Sequence, residues 1–251
     1  MSEADDTRRL DIELVRRGLS PSRGQAREAI EAGKVRVEGN LAAKPGQLVT
    51  ASTRIEAEAL HPWVSRGGLK LDHALTTFSV DVRGQHCLDI GSSTGGFTDV
   101  LLARGARRVV AVDVGTGQLH PKLQADSRVV SLESTDARNL SADGVIEPPA
   151  ILVCDASFIG LAKLLGPPLK LAAPKAKLVA LFKPQFEVGR EHVGKGGIVS
   201  NEAAKDAAAE ALVHWLHQAG WQVEAWVDSP ITGGDGNRER LFLASNDQSD
   251  R

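Results

Sequence analysis

The sequence has few residues that support covalent or metal cross-links, and it has no long apolar segment. Its 251 residues include two cysteines and no tyrosine. Two cysteines exclude a disulfide framework and a four-ligand zinc site, so we predict no metal. The longest apolar run, KLVALF at residues 177–182, is strand-sized and far shorter than a bilayer requires. The first ten residues lack the apolar core of a signal peptide, so we expect a cytoplasmic protein without membrane association.

The net charge of -2 does not point to nucleic acid, but the charge is spread unevenly along the chain. Residues 8–50 carry nine lysines and arginines against five acids, whereas the rest of the chain carries 21 against 27. A basic N-terminal part in front of an acidic body indicates an anionic partner for the N-terminal part. The chain is 42% hydrophobic and 25% charged, which is typical of a globular protein of one or two domains.

The N-terminal part has the pattern of a small α+β domain. RRLDIELVRRGL, residues 8–19, has apolar residues at helical spacing. A second helix is predicted where Ser22 and Gln25 have the spacing of a capping box and Gly33 provides a stop. VRVEGN then predicts a strand that runs into a turn at Gly39-Asn40.

Beyond residue 68, strand-like segments alternate with helical stretches, of which residues 201–220 are the clearest. This alternation predicts a parallel sheet with helices on both faces. No helix separates the last two strands, so we expect the final strand to run antiparallel. In chain order the predicted strands are HCLDI, RVVAVDV, RVVSLES, AILVCDA, KLVALF, WQVEAWV and RLFLAS.

In residues 87–106, CLDIGSSTGGFTDVLLARGA, a predicted strand ends at Asp89. A stretch rich in glycine and serine follows, so most of its residues have small side chains or none. In a doubly wound sheet, ligands bind outside the carboxyl ends of the strands, where the first turn meets its helix. Small residues there let the backbone approach a ligand. The spacing of Asp89, Gly91 and Gly95-Gly96 is wider than a dinucleotide fingerprint, and an acid precedes it. A carboxylate at this place suits a cationic group.

Two further acids end the following strands. Asp113 can accept both hydroxyls of a ribose, and Asp136 lies where an adenine amino group donates. A ligand with a cationic end, a ribose and an adenine is S-adenosylmethionine, and the three acids resemble those of Rossmann-like methyltransferases. For each single acid, above all Asp136, a helix cap or a surface position is the alternative. The predicted cofactor-binding residues are Asp89, Gly91, Ser92, Ser93, Thr94, Gly95, Gly96, Phe97, Asp113, Val114, Asp136 and Ala137.

Three methyl acceptors can be weighed. Residues 155–158, DASF, lack the prolines with which amino methyltransferases hold an exocyclic amine. Cytosine carbon methylation needs an activated cysteine, and Cys154 has no histidine or second cysteine near it in sequence. A ribose hydroxyl needs a base, for which Lys183 is a candidate, because burial and a neighbouring cation such as Lys70 lower a lysine pKa. Asp155 and Glu239 would orient the lysines; for each residue alone, an ordinary surface role is the alternative.

Residues 9–49 resemble the small RNA-binding domain named after the fourth protein of the small ribosomal subunit. The resemblance rests on the Leu-Asp start, the Ser-Arg cap, the Gly-Lys-Val strand entry and the Lys-Pro-Gly turn. It implies that the basic N-terminal part binds RNA. The predicted RNA-binding residues are Arg9, Arg23, Lys34, Arg36, Lys44 and Arg66.

Lys70, Asp155, Lys183 and Glu239 together match the Lys-Asp-Lys-Glu tetrad of the FtsJ-like ribose 2′-O-methyltransferases. With SRGGLKL, DIGSSTGGFTD, DASFI, KPQFEVGR, VGKGGIV and GGDGNRE, the chain resembles the TlyA-type family, whose members are also called hemolysin A. The resemblance implies S-adenosylmethionine-dependent 2′-O-methylation of ribosomal RNA, usually at cytidine. Arg240 departs from the family pattern, in which an aromatic or apolar residue is expected after the glutamate.

The expected architecture is therefore an α/β protein, with a Rossmann-like methyltransferase sheet of about seven strands behind a small α+β domain. We predict an RNA-binding domain at residues 1–60, a linker at 61–68, a methyltransferase domain at 69–246 and a tail at 247–251. Ribosomal RNA or ribosomal subunits are the implied partners, and we expect a monomer. Phe158 and Phe186 are predicted either to clamp a flipped nucleotide or to pack in the core.

Two other functions remain open at the level of sequence. An RNA-binding or ribosome-assembly protein with a decayed enzyme domain would be expected to have lost the tetrad or the glycine-rich turn, and both are intact. A membrane-lytic protein would need a basic amphipathic helix or an exposed apolar segment. The most apolar helices, around residues 161–171 and 203–216, are placed where a sheet must be covered.

Overall fold

The computed structural model describes residues 7–20, 22–145 and 147–247. The first six residues of the predicted RNA-binding domain and residues 248–251 of the predicted tail lie outside the described residues. The chain divides into two compact units between Pro62 and Trp63.

The N-terminal unit is a small α+β domain. Leu10, Leu14, Ile30 and Val35 form the centre of its core, with no more than 4% of any of them exposed. Strands β2, β3 and β5 form a sheet in the order β3-β2-β5, and β1 pairs with β4, where the strands are β1 (Arg8–Arg9), β2 (Val35–Val37), β3 (Asn40–Leu41), β4 (Leu48–Val49) and β5 (Ile55–Ala57). Its helices are α1 (Leu10–Arg16) and α2 (Arg23–Glu31).

Local sequence signals explain most of this unit. The Ser22 hydroxyl accepts a hydrogen bond from the Gln25 amide at 3.3 Å, as the capping spacing predicted, and Gly33 follows α2 with a φ of +69°. The hairpin turn is formed by Glu38 and Gly39, one residue earlier than predicted. Both have positive φ, which suits a two-residue turn between twisted strands.

The C-terminal unit is built on one seven-stranded sheet in the order β11-β12-β10-β9-β6-β7-β8. The five strands β10, β9, β6, β7 and β8 are parallel to their neighbours in the sheet. Strand β12 runs antiparallel to both β10 and β11. The absence of a helix between the last two strands predicted this direction. The strands are β6 (His86–Ile90), β7 (Arg108–Val112), β8 (Val129–Leu132), β9 (Ile151–Cys154), β10 (Lys177–Phe182), β11 (Gln222–Asp228) and β12 (Arg240–Ser245).

Helices cover both faces of this sheet, which confirms the predicted fold class. Leu88 and Ile90 face one core cluster and Cys87 faces the other, since side chains alternate along a strand. Helices α3 to α5 pack on the Cys87 face, whereas α6, α7 and α9 pack on the opposite face. The helices are α3 (Gly67–Thr77), α4 (Gly96–Ala103), α5 (Pro121–Gln124), α6 (Leu161–Leu164), α7 (Gly166–Lys170), α8 (Pro184–Glu187) and α9 (Glu202–Gln218).

The apolar helical stretches singled out in the sequence are parts of this packing. Leu161 and Leu212 are both buried in the core cluster below the sheet. Among the described residues, no helix has the combination of length and apolarity that crossing a membrane requires. Short 3-10 turns complete the unit at Ala137–Asn139, Ala142–Gly144, Arg190–His192 and Lys195–Gly197.

Candidate active site

The four residues of the predicted tetrad lie at one edge of the sheet. Asp155 directly follows β9, and Lys183 directly follows the neighbouring strand β10. Because β12 is antiparallel, it starts at this edge, and Glu239 directly precedes it. Phe182 pairs with Arg240 in the sheet, which puts Lys183 and Glu239 at facing positions just beyond the last pair.

The tetrad forms two ion pairs. Lys183 Nζ lies 2.6 Å from Asp155 Oδ1 and donates a hydrogen bond to Ser157 Oγ at 2.8 Å. Lys70 Nζ donates to Glu239 Oε2 at 2.5 Å. The two lysines and Glu239 are buried, whereas Asp155 keeps 21% of its side chain exposed. Each buried lysine thus has a carboxylate partner, as burial of a charge requires. Asp155 is the member of the tetrad that solvent reaches.

Helix α3 brings Lys70 into the site. A Cβ atom at Gly67 would lie 3.4 Å from Asp155 Oδ2, so the first turn of α3 lies against this carboxylate. A Cβ at Gly68 would overlap the Trp63 side chain, so only glycine lets the helix start this close to Trp63. Lys70 follows in the first turn and reaches Glu239, which is 169 residues away in sequence.

Asp89, the acid at the end of β6, is fully buried. Its Oδ2 accepts a hydrogen bond from Thr98 Oγ1 at 2.6 Å, while Oδ1 has no hydrogen-bond partner among the described residues. Burial raises the pKa of Asp89 to about 7, and the nearby carboxylates of Asp155 and Asp113 act in the same direction. A buried acceptor without a donor is costly, so this oxygen favours a cationic or donating ligand.

The glycines of the stretch after β6 lie against neighbouring segments of the chain. Gly91 and Gly95 have φ of +79° and +94°. A Cβ at Gly91 would lie 2.9 Å from the backbone of Ala156, and one at Gly95 would overlap Leu123. A Cβ at Gly96 would likewise overlap the Ser65 hydroxyl. These glycines therefore let neighbouring segments of the chain approach the turn closely, and their role towards a cofactor stays a prediction.

Within this turn, Ser92 is buried, whereas the next two residues, Ser93 and Thr94, are exposed. The carboxylate of Asp113, after β7, accepts hydrogen bonds from the backbone amides of Ser93 at 2.8 Å and Gly115 at 2.7 Å. Asp113 thus joins the turn after β6 to the loop after β7. It stays partly exposed, and its role towards a ribose remains a prediction.

Asp136 has the role that the sequence offered as the alternative. It caps the 3-10 turn through the Arg138 amide at 2.9 Å, and the Arg138 guanidinium lies 2.6 Å from its Oδ2. These bonds with Arg138 hold the pKa of Asp136 below its usual range. A contact with an adenine amino group would have to share this carboxylate with Arg138.

The three remaining predicted cofactor residues differ in exposure. Phe97 is 3% exposed and its ring packs in a core cluster, so only its backbone is left to meet a ligand. Ala137 is also buried in a core cluster. Val114 is an apolar side chain with 72% of its surface exposed, directly after Asp113.

An aromatic pair, exposed Phe158 and partly buried Phe186, lies beside the tetrad. Phe158 is 92% exposed and has a φ of +66°, a backbone conformation that disfavours residues with a side chain. Its ring centroid lies 5.3 Å from that of Phe186. The core position offered as an alternative is therefore wrong for Phe158.

Neither cysteine takes part in this chemistry. Cys87 and Cys154 are both fully buried, and burial raises the pKa of each thiol to about 12. Neither side chain therefore forms the thiolate that nucleophilic attack requires near neutral pH.

Two further residues of this edge escaped the sequence interpretation. Ser157 binds Lys183, and its position two residues after Asp155 was the available signal. Asn237 is buried; its Oδ1 accepts from the Val199 amide at 2.9 Å and its Nδ2 donates to the Gly197 carbonyl at 2.8 Å. For Asn237, the available signal was a polar side chain inside the glycine-rich motif GGDGNRE.

The predicted RNA-binding residues do not form one set. Arg9 and Arg23 both bind the buried carboxylate of Asp11, together with Arg27. Lys44 lies next to Pro45, whose carbonyl accepts a hydrogen bond from the Asp11 amide.

Of the other three predicted RNA-binding residues, two have partners within the N-terminal unit. Lys34 forms an ion pair with Glu58 at 2.8 Å, and Arg36 donates to the Gly39 carbonyl. Arg66 belongs to the C-terminal unit, at the start of α3.

Comparison with protein families identifies both units. Residues 63–246 match the model of the FtsJ-like methyltransferases, and residues 8–55 match the S4 domain. The chain is 46% identical over 245 residues to the 16S/23S rRNA (cytidine-2′-O)-methyltransferase TlyA of Mycobacterium tuberculosis, which covers 97% of this chain and 91% of that protein. It is 37% identical over 234 residues to Hemolysin A of Brachyspira hyodysenteriae, covering 93% of this chain and 98% of the relative.

A solved structure is similar over almost the whole chain. A provisionally named hemolysin from Streptococcus thermophilus superposes with a TM-score of 0.77 at 37% identity, covering 98% of this chain and 90% of the other.

Proposed function

The chain belongs to the FtsJ-like methyltransferases and carries an S4 domain in front of the methyltransferase domain; on this basis we propose that it methylates ribose 2′-hydroxyls of ribosomal RNA, with S-adenosylmethionine as the methyl donor. The proposed target is a cytidine, as in the named activity of the M. tuberculosis relative. The observation that carries the proposal is the arrangement of two ion pairs, Lys183 with Asp155 and Lys70 with Glu239, at the edge where the strands end.

The residues at the end of β6 fit the proposed cofactor. S-Adenosylmethionine, when bound, supplies a methyl group on a cationic sulfur. Asp89 has a buried oxygen without a donor, so a cationic group beside it would relieve the cost of its burial. Ser93 and Thr94 offer exposed groups in the adjoining turn, and Asp113 keeps a partly exposed carboxylate at the end of β7.

We propose that Lys183 holds the ribose hydroxyl and accepts its proton. Asp155 and Ser157 fix the position of Lys183 Nζ, and Asp155 is the partly exposed member of the group. A lysine accepts a proton only while it is neutral, and Lys183 Nζ lies against the Asp155 carboxylate. Proton transfer therefore requires that the Lys183–Asp155 pair loosens when RNA enters. Lys70 and Glu239 support the site from the buried side.

The exposed ring of Phe158 supports an RNA substrate. A 2′-hydroxyl in a structured RNA becomes accessible to a recessed lysine when its nucleotide leaves the stack. The Phe158 ring, almost fully exposed and three residues after Asp155, offers a face for the displaced base. Phe158 has a φ of +66°, which costs backbone energy, and its exposed ring gains nothing from core packing.

The S4 domain is the proposed RNA-gripping part, and ribosomal RNA or a ribosomal subunit is the proposed partner. We accordingly place the protein in the cytoplasm, where ribosomes are assembled, and propose that it acts as a monomer.

The test is a map of 2′-O-methyl groups on ribosomal RNA from cells with and without the protein, read by mass spectrometry. We expect at least one cytidine that loses its 2′-O-methyl group when the gene is deleted and regains it when the wild-type protein is supplied. It should not return with the Lys183→Ala variant. Identical maps from both strains would contradict the proposed function.

A further inference from the structure

The loop after β7, residues 113–120, is held by a glutamate from the loop after β8; we call residues 113–120 the Asp113 loop. We propose that Glu133 is a positioning residue for the cofactor, which holds the Asp113 loop in the conformation in which Asp113 can accept the ribose hydroxyls of S-adenosylmethionine. The inference rests on the proposed function and adds to it a residue that the sequence interpretation did not include.

Three successive backbone amides of the Asp113 loop converge on the Glu133 carboxylate. The Gly117 amide donates to Oε2 at 2.9 Å. The amides of Gln118 and Leu119 donate to Oε1 at 2.9 and 3.2 Å. Hydrogen bonds to a charged acceptor are stronger than neutral ones, and a run of backbone N–H groups is a natural partner of an anion. These bonds also lower the pKa of Glu133, so the carboxylate is ionised near neutral pH.

The parallel pairing of β7 with β8 brings the two loops together. Val112 and Leu132 are the last residues of these strands and pair with each other. Asp113 and Glu133 therefore follow at the same edge of the sheet. The Asp113 amide donates to the Leu132 carbonyl at 3.1 Å, and the Asp113 carbonyl accepts from the Thr135 amide at 2.9 Å. The sheet thus fixes the start of the Asp113 loop, whereas its later residues need other contacts.

The middle of the Asp113 loop has a flexible sequence. It contains Gly115 and Gly117, and glycine leaves the backbone more conformations than any other residue does. The Ser134 amide donates to the Gly115 carbonyl at 2.9 Å, and the Ser134 hydroxyl lies 2.6 Å from that of Thr116. These contacts hold residues 115 and 116. Glu133 holds the three residues that follow, of which Gly117 has a φ of +66°.

The Asp113 loop in turn supports the predicted cofactor residues. Its Gly115 amide donates to Asp113 Oδ1 at 2.7 Å, while the Ser93 amide donates to Oδ2 at 2.8 Å. Gln118, whose amide Glu133 binds, accepts a hydrogen bond from the Ser93 hydroxyl through Oε1 at 3.1 Å. The carboxylate of Asp113 therefore lies between this loop and the glycine-rich turn. Loss of the Glu133 carboxylate would release Gln118 and loosen the support of Asp113.

The other end of β8 offers a matched control. Asp126 precedes this strand, and its Oδ1 accepts a hydrogen bond from the Arg128 amide at 2.9 Å. Like Glu133, it is a partly buried carboxylate that holds a backbone amide. It lies at the opposite edge of the sheet from Asp113, however, so Asp126→Asn shows what the loss of a loop carboxylate does without any effect on the Asp113 loop.

The first experiment measures the affinity of the full chain for S-adenosylhomocysteine by calorimetry. We expect Glu133→Ala to bind about tenfold more weakly than wild type, because hydrogen bonds to a charged group are lost. Glu133→Gln keeps one acceptor oxygen and should lie between the two. Asp126→Asn should bind as wild type does. In the cofactor-free protein, amide exchange at residues 117–119 should be faster in Glu133→Ala. Wild-type affinity in Glu133→Ala would overturn the proposal, even if exchange is faster.

The second experiment asks whether the effect of Glu133 passes through the ribose. The 2′,3′-dideoxy analogue of S-adenosylhomocysteine has no ribose hydroxyls for Asp113 to accept. Glu133→Ala should therefore leave the affinity for this analogue within about twofold of wild type. It should also add little to the loss that Asp113→Asn causes with S-adenosylhomocysteine. Equal losses for the two ligands, or additive losses in the double variant, would mean that Glu133 only supports the fold, and would overturn its positioning role.

These measurements separate the inference from the proposed function. Failure of the wild-type protein to bind S-adenosylhomocysteine would contradict the proposed cofactor. Equal binding by wild type and Glu133→Ala would contradict only the role of Glu133. If Glu133→Ala does not fold, Glu133→Gln, a smaller change, carries the same comparison: its affinity for S-adenosylhomocysteine should fall, and its affinity for the dideoxy analogue should not.

Discussion

Two buried ionisable groups at the same sheet edge have opposite surroundings. Lys183 Nζ has the Asp155 carboxylate and the Ser157 hydroxyl within 2.8 Å. Asp89 Oδ1 has no partner among the described residues. The lysine is therefore held in place before any substrate enters, whereas the aspartate is completed by a ligand.

Lys183 is the residue on which the proposed chemistry depends. We expect Lys183→Ala to lower single-turnover methyl transfer to ribosomal RNA by about 10²- to 10⁴-fold, the usual contribution of a general base. Lys183→Arg should fail as well, because a guanidinium stays protonated at any working pH. Cofactor and RNA affinities should stay close to wild type. The control is Lys205→Ala, which removes a partly buried lysine of α9 that pairs with Glu202.

The two variants separate two roles. Transfer by Lys183→Arg at the wild-type rate would make Lys183 an orienting cation and not a base. Wild-type transfer by Lys183→Ala would show that the tetrad is misassigned.

Asp89 should couple cofactor binding to pH. Its pKa of about 7 means that part of the free protein carries a neutral acid at pH 7, while a cationic ligand favours the carboxylate. Affinity for S-adenosylmethionine should therefore rise as pH increases from 6 to 8, with release of a proton. Calorimetry in buffers of different ionisation enthalpy measures both the affinity and the number of protons released. Asp89→Asn should bind more weakly, by roughly 1.5–3 kcal/mol, and without this pH dependence; an unchanged pH profile would contradict the assignment.

The same pKa shift has the opposite consequence for folding. The folded state keeps a proton on Asp89 that the unfolded chain releases above about pH 4. Stability of the C-terminal unit from this group therefore falls as pH rises from about 4 to 7, in the absence of cofactor.

At the scale of elements, the predicted strands HCLDI, KLVALF and RLFLAS match β6, β10 and β12 residue for residue. Apolar runs bounded by polar residues fix such buried strands. The hairpin turn was placed one residue late, because the choice between Glu38-Gly39 and Gly39-Asn40 depends on strand register, and both pairs suit a turn.

The candidate site was predictable in its members but not in their pairing. A strand-end position identifies Asp155, Lys183 and Glu239 as neighbours, whereas the choice of partner depends on the side-chain geometry of α3. For the same reason, the close contacts of the glycines after β6 with Ala156 and Leu123 could not be predicted from the sequence.

Asn237 should hold its own loop, just before β12, against the loop at residues 194–199, by the hydrogen bonds of its side chain. Its side chain binds residues 197 and 199, and Glu239 follows two residues later. Asn237→Ala should speed amide exchange at residues 194–199 and lower single-turnover methyl transfer about tenfold, the effect of about 1.4 kcal/mol, with cofactor affinity unchanged. Asn246→Ala is the matched control, because Asn246 also binds a backbone carbonyl, at Ala173, but at the far end of β12. Equal exchange rates in both variants would contradict this role.

At the scale of the whole molecule, the two units differ in what stabilises them. In the described part of the N-terminal unit, eight buried apolar side chains form the core, and two buried acids pair with five arginines around it. The C-terminal unit has two large apolar clusters on either side of its sheet. Charge thus contributes a larger share in the smaller unit.

Acid should therefore unfold the N-terminal unit first. Arg16 and Arg17 hold the pKa of Glu13 down to about 2, and Arg9 with its neighbours lowers that of Asp11. A lowered pKa stabilises the fold above about pH 4 and loses this effect as pH falls towards 2. All four tryptophans lie from residue 63 onwards, so their fluorescence reports the C-terminal unit alone. Circular dichroism should fall before tryptophan fluorescence changes; coincident transitions would contradict the prediction.

The antiparallel placement of β12 also sets when a growing chain can become an enzyme. Lys70 and Glu239 are separated by 169 residues in sequence. At roughly 5–20 residues per second, the ribosome adds Glu239 roughly 8 to 34 s after it adds Lys70. Throughout this interval the nascent protein has its S4 domain but no finished catalytic centre. The Lys70–Glu239 ion pair can therefore form only after the strands from β6 to β11 have been synthesised.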